Sequence, residues 1–153
     1  MAKRERLKIA IASDHGGYGL KEYLKLKLAK DYDIYDLGPS SSERTDFPKY
    51  AAAVAKFLSA DKHSVGILAC RNGIGMTIAA NRFPHVRAAI LFNDKAVMRA
   101  RRDDDANVAV LAADYFSRAK NLKFVKRFLN SEFNTADPRY KKRVSMLGKL
   151  CKG

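Results

Sequence analysis

The feature that most constrains this chain is a strict alternation of short apolar runs with amphipathic helical segments, repeated five times from Leu7 to Leu129. The runs Leu7–Ser13, Asp33–Leu37, Val65–Ala69, Val86–Phe92 and Asn107–Leu111 read as strands, and most are continuously apolar rather than alternating. Strands of that kind are buried on both faces and need helical crossovers, which makes the sheet parallel and covers each side with helices. The intervening segments have the required period: Leu20, Leu24 and Leu28 in Tyr18–Lys30, and Tyr50, Val54 and Leu58 in a helix opened by Pro48 and running to Ala60. Asp94–Arg102, Ser117–Leu129 and a basic terminal segment Pro138–Leu150 read as further helices. The expectation is an α/β chain with a five-stranded parallel sheet in a Rossmann-like three-layer α/β/α sandwich. No linker, repeat or low-complexity stretch divides it, so residues 1–153 read as a single domain.

One stretch carries chemistry. Ser64–Arg82 reads as a strand, a tight glycine loop and an Ala-rich helix, with a lone thiol, Cys70, where strand becomes loop. In a parallel sheet, ligands bind outside the carboxyl ends of the strands, and a helix N-terminus there offers unpaired N–H groups to an anion. The same field stabilises a thiolate. The competing reading is a small buried hydrophobe. On this reading the carboxyl rim gathers Asp14 and His15, the Ser-rich loop Gly38–Asp46, Cys70 with its glycine loop, and Asp103–Asn107.

Several chemistries fail at this loop. A phosphatase loop needs Arg six positions after its Cys, where Met76 stands; a Walker loop needs Lys after its second glycine; a dinucleotide fingerprint needs a third glycine where Ile78 stands. A cysteine hydrolase needs a His base, yet only His15 falls on the expected rim, with His63 and His85 read as surface residues. What is left is a thiol beside the donors of Gly73 to Thr77, with an Asp-His pair facing it. That set suits proton abstraction next to a carbonyl, with N–H groups holding the enediolate oxygen, and calls for neither metal nor cofactor.

The formal net charge of +14 favours anionic partners such as phosphorylated metabolites or nucleic acid. Lys21, Lys25, Lys27 and Lys30, and again Lys120, Lys123, Lys126 and Arg127, read as solvated helix faces that account for most of it. The chain lacks aromatics interleaved with its basic patches, so nucleic acid is not the expected partner. The two cysteines, Cys70 and Cys151, offer no disulfide framework and point to a reducing compartment. The basic start before Leu7–Ser13 imitates a leader, but its apolar run ends at Asp14-His15, short of the ~7–15 apolar residues a signal needs, and no run approaches a membrane span. A cytoplasmic protein is expected.

Five segments, in order, resemble the ribose-5-phosphate isomerase B family, which also includes the galactose-6-phosphate isomerase subunits. They are Asp14-His15-Gly16-Gly17; Glu43-Arg44-Thr45-Asp46 with Pro48 and Tyr50; Cys70 through Gly73-Ile74-Gly75 to Asn81; Asp105-Ala106-Asn107-Val108; and Arg139 to Arg143. The resemblance implies a metal-free and cofactor-free aldose–ketose isomerase of the non-oxidative pentose phosphate branch. It would interconvert ribose 5-phosphate and ribulose 5-phosphate, as a homodimer or dimer of dimers with its pocket at a subunit interface. Carried over by position, Cys70 is the catalytic base; Asp14, His15, Asp104 and Asn107 contact substrate; Arg71, Asn72, Gly73, Ile74 and Gly75 form the enediolate-stabilising loop; and Arg139 and Arg143 hold the phosphate. The two arginines lie four apart, on one helix face, as bidentate phosphate binding requires. Departures from the family pattern are Arg71 and Asn72 after the Cys, Phe47 for a Tyr, Asp114 for an Arg, and Asp103 for the ring-opening His. A six-carbon sugar phosphate, or a sugar-phosphate-binding or RNA-binding protein of reduced activity, are the alternative readings.

Overall fold

The apolar runs form the expected sheet. In the computed structural model, which describes residues 5–151, β1 (Lys8–Ser13), β2 (Asp33–Asp36), β3 (Val65–Cys70), β4 (Ala88–Ile90) and β5 (Val108–Ala112) are all parallel, in the order β2-β1-β3-β5-β4. The ends of the expected domain, residues 1–4 and 152–153, lie outside the described residues and take with them part of the basic start weighed as a leader. Among those described, no helix is long and apolar enough to cross a membrane.

Side-chain alternation sorts the core into two halves. Ile9, Ile11, Ile67, Ala109 and Leu111 pack under α1 (Tyr18–Leu28), α4 (Asp94–Arg102) and α5 (Arg118–Leu129). Ala10, Ala12, Leu68, Cys70, Val108 and Val110 pack under α2 (Phe47–Ala60) and α3 (Ile74–Ala80). The three-layer α/β/α expectation therefore stands. A sixth helix, α6 (Pro138–Leu147), contributes no buried residue and lies over a cleft at the β4 edge.

Small departures have local causes. The fourth strand is three residues rather than seven, because it is an edge strand whose entry at Arg87 is pinned by the Asn107 side chain and whose exit turns into the α4 cap. That cap is Asn93, whose side chain accepts the Ala96 N–H at 2.8 Å. The last helix stops three residues early, at Gly148. His85, expected at the surface, is half-buried with Nε2 2.7 Å from the Ala55 carbonyl, which ties the β4 approach to α2.

Lys21 is the clearest correction. It sits in an amphipathic helix at a position that reads as solvated, yet its side chain is fully buried. Its ammonium donates to Asp36 at 2.8 and 3.0 Å and to Glu22 at 2.7 Å, and Lys25 closes the cluster on the same two carboxylates. Asp36 in turn accepts the Gly38 N–H, and the Gly38 carbonyl accepts the Ser13 N–H, so a buried ammonium fixes the loop after β2 against the end of β1.

Candidate active site

The sheet order creates one natural crevice. From β1 the chain leaves through α1 on one face, and from β3 through α3 on the other; neighbouring strands whose connections diverge open a cleft at their carboxyl ends. Ser13 is level with Ala69, so Asp14 and Cys70 follow side by side at that point, and the Asp14 N–H donates to the Ala69 carbonyl at 3.2 Å.

Cys70 is 5% exposed, and its Sγ accepts the Gly73 N–H at 3.1 Å. Gly73 has φ of +79°, a left-handed conformation that glycine adopts without strain, and this turns the loop sharply into α3. The Asn72 side chain accepts the Ile74 N–H at 2.9 Å, while helix geometry leaves the Gly75 and Met76 N–H groups without an intrahelical acceptor. Phe47 lies against Gly75, where a Cβ would come within 2.9 Å of its ring.

The facing turn is equally fixed. Asp14 is buried and accepts the Gly17 N–H at 3.0 Å; Gly17 itself presses on the Ala69 carbonyl, leaving no room for a side chain. His15 Nδ1 lies 3.1 Å from the Thr45 carbonyl oxygen and 3.3 Å from the Thr45 nitrogen, and the Thr45 hydroxyl is 3.1 Å from that of Tyr50. The Ser-rich loop thus orients the imidazole. Arg71 adds a cation to this edge, 3.4 Å from Asp114.

The remaining expected residues are elsewhere. Asp103–Asn107 does not share the rim with Cys70: in a β-α-β unit the segment between a helix and the next strand lies at the amino edge of the sheet. Cys70 is level with Ala112 at the end of β5, whereas Asn107 precedes its first residue, five residues back, about 16 Å along the strand. Asn107 is a clamp, since its Oδ1 accepts the Arg87 N–H at 2.7 Å and its Nδ2 donates to the His85 carbonyl at 2.8 Å. Asp103 caps the carboxyl end of α4, with Oδ2 3.0 Å from Arg99 and Oδ1 buried with no partner among the described residues.

The two phosphate-holding candidates join this second group. The Asn134 N–H donates to the Arg102 carbonyl, which brings α6 to the amino edge. Arg139 makes a bidentate pair with Asp137, the α6 cap, at 3.1 and 2.7 Å, and this holds the Asp137 carboxyl down to about 2. Asp104 is pushed up by loss of solvent around its carboxyl and then by the Asp103 charge, partly offset by Arg143. The expected set is therefore two half-sites at opposite edges of one sheet: Asp14, His15 and Cys70 to Gly75 at one, and Asp103, Asp104, Arg139 and Arg143 at the other.

Comparison with known proteins gives this division its setting. Residues 9–147 match the family described as Ribose/Galactose Isomerase. The Escherichia coli protein named ribose-5-phosphate isomerase B is 34% identical over 125 residues, 81% of each chain. A ribose 5-phosphate isomerase from Thermotoga maritima superposes with a TM-score of 0.90 at 34% identity, covering 95% of this chain and 100% of that one. The Mycoplasma genitalium ribose-5-phosphate isomerase B, solved with bound ribulose-5-phosphate, superposes with a TM-score of 0.89 at 33% identity, over 95% of this chain and 97% of that one. With the family match spanning nearly every element from β1 to α6, this chain belongs to the ribose/galactose isomerase family.

Proposed function

We propose that the protein interconverts D-ribose 5-phosphate and D-ribulose 5-phosphate through an enediolate, with Cys70 as the proton-transfer base. The observation that carries this reading is the thiol set at the switch point, between a turn holding Asp14 and His15 and a loop presenting backbone N–H groups. Starting from the open aldose, the Cys70 thiolate takes the C2 proton. The electron pair left behind forms the C1–C2 double bond as the carbonyl oxygen becomes an enediolate oxygen held by the loop N–H groups. The thiol then returns its proton to C1 while the C2 hydroxyl proton passes to O1, which gives the ketose and restores the thiolate.

Division of the residues between two edges makes the second half of the site the work of another copy. Arg139 and Arg143 would reach the thiol edge of a neighbouring chain and take its substrate's phosphate, in a homodimer or dimer of dimers. Exposed apolar side chains support such an assembly: Ile74 and Ile78 on α3 beside the thiol loop, and Met146, Leu147 and Leu150 at the end of α6. Asp103 would enter the same composite site at the ring-opening position. Its carboxylate is held by Arg99, so it opens the cyclic aldose more slowly than an imidazole does. With Cys70 and Cys151 both free thiols, the working compartment is a reducing one, the cytoplasm.

The direct test is a coupled assay of ribose 5-phosphate conversion, run in both directions with Cys70→Ala as control and a six-carbon sugar phosphate as a second substrate. Turnover of the pentose phosphate that disappears in Cys70→Ala is expected. Absence of turnover, or turnover that survives the substitution, contradicts the assignment.

A further inference from the structure

The thiol edge carries a loose ion pair between Arg71 and Asp114. Arg71 follows Cys70 directly, and the two loops are zipped together by backbone: the Ala113 N–H donates to the Cys70 carbonyl at 2.9 Å, and the Asp114 N–H to the Arg71 carbonyl at 2.9 Å. Both side chains therefore rise from one rigid edge. The Arg71 stem runs across Gly16, within the Asp14–Gly17 turn: a Cβ on Gly16 would collide with Arg71 Cγ and come within 3.2 Å of Nε. The guanidinium is thus laid from the end of β3 over the turn that carries Asp14 and His15, at the mouth of the crevice.

What holds it there is slight. Nη1 of Arg71 is 3.4 Å from Asp114 Oδ2, a single long contact, and the two side chains are 63% and 46% exposed. The contrast is with Arg139 and Asp137, joined by two shorter bonds, and with Lys21, fully buried among carboxylates. An exposed pair with one poor contact holds weakly, and most of the guanidinium's five donors remain unspent.

We propose that Arg71 is a phosphate-binding residue of the active site and that Asp114 is its resting partner, displaced when substrate arrives. The proposal rests on the sugar-phosphate reading given above. A phosphate dianion offers three oxygens and more charge than a carboxylate, so the fork exchanges one poor bond for better ones. Once displaced, Asp114 stands beside the bound dianion and repels it. The arrangement therefore carries a signature that a merely structural salt bridge lacks: removing either charge acts in opposite directions.

The test measures binding of inorganic phosphate to the full chain by calorimetry, with Arg71→Gln and Asp114→Asn as variants. Arg71→Gln keeps the stem over Gly16 and removes the charge. It weakens phosphate binding by about tenfold or more, as expected for loss of a charged hydrogen bond. Asp114→Asn tightens it by about two- to fivefold, in proportion to a weak exposed pair. In turnover of ribose 5-phosphate, KM follows the same two directions. Shifts of the same sign in both variants, or no shift in either, overturn the proposal. Because phosphate binding needs no turnover, opposite shifts in a protein that does not isomerise would refute the isomerase reading and leave Arg71 a phosphate ligand.

Discussion

Cys70 and Asp103 stand at opposite edges of the same sheet: the thiol is level with Ala112 at the carboxyl end of β5, and the carboxylate caps α4 ahead of that strand's first residue. No side-chain motion closes a gap of the strand's own length, about 16 Å. A chemistry that needs both groups needs two copies of the chain.

On the proposed mechanism, assembly is a condition of activity. Light scattering at assay concentration should report a dimer or a dimer of dimers, and dilution below the dissociation range should abolish turnover together with the larger species. A fully active monomer would contradict this.

Cys70→Ser should lower kcat by about 10²–10⁴, the range that a positioned base contributes, while KM changes little. The informative readout is exchange of the substrate's C2 hydrogen with solvent, which should fall with kcat. Exchange at the unsubstituted rate would remove Cys70 from the proton-transfer step.

Arg143→Ala should raise KM by about tenfold or more with kcat largely retained, because a charged hydrogen bond to the phosphate contributes equally in ground and transition states. Arg139→Ala should act in the same direction but less, since its fork is already engaged by Asp137. Equal activity on phosphorylated and unphosphorylated sugar would contradict both assignments.

The Lys21 cluster sets an acid limit. Burial works against ionisation of Asp36, yet hydrogen bonds from Lys21, Lys25 and the Gly38 N–H outweigh it and hold the carboxyl below its usual value. Glu22 is held down by Lys21 first, against burial, and by Lys25. A depressed carboxylate contributes its stability above the unfolded-state value and loses it as pH falls through the folded one. Lys21→Ala removes the buried partner while Lys25 still reaches both half-exposed carboxylates, and should cost about 1–3 kcal/mol at pH 7. In urea titrations that difference should shrink as pH falls below about 4, where carboxylates lose their charge. A difference independent of pH would mean that packing, not charge, is what Lys21 supplies.

Much of this was legible in the chain. Apolar runs such as Val65–Cys70, buried along their whole length, announce a sheet covered on both faces, and Gly73 announces the turn that places the thiol. The edge on which Asp103–Asn107 falls was also written in the order of elements, since a segment between helix and strand must lie opposite one between strand and helix. Lys21 was not legible: its helical position is that of a solvated lysine, and only the distant Asp36 and its neighbour Glu22 make burial tolerable. Nor was the clamp role of Asn107, which depends on Arg87 and His85 arriving from another strand's approach.

The central claim is that each active site takes its thiol edge from one copy and its arginines from another, and subunit complementation tests it most directly. Cys70→Ala and Arg143→Ala chains are each assayed alone at substrate well below the wild-type KM, where the raised KM leaves Arg143→Ala about tenfold or more less active, then unfolded together in equal amounts and refolded so that dimers form at random. Half of the dimers are then mixed, and each mixed dimer has one site with both native halves, so about a quarter of wild-type activity should return. Activity no greater than the mean of the two parents would show that thiol and arginine serve the site from the same chain, and would contradict the account.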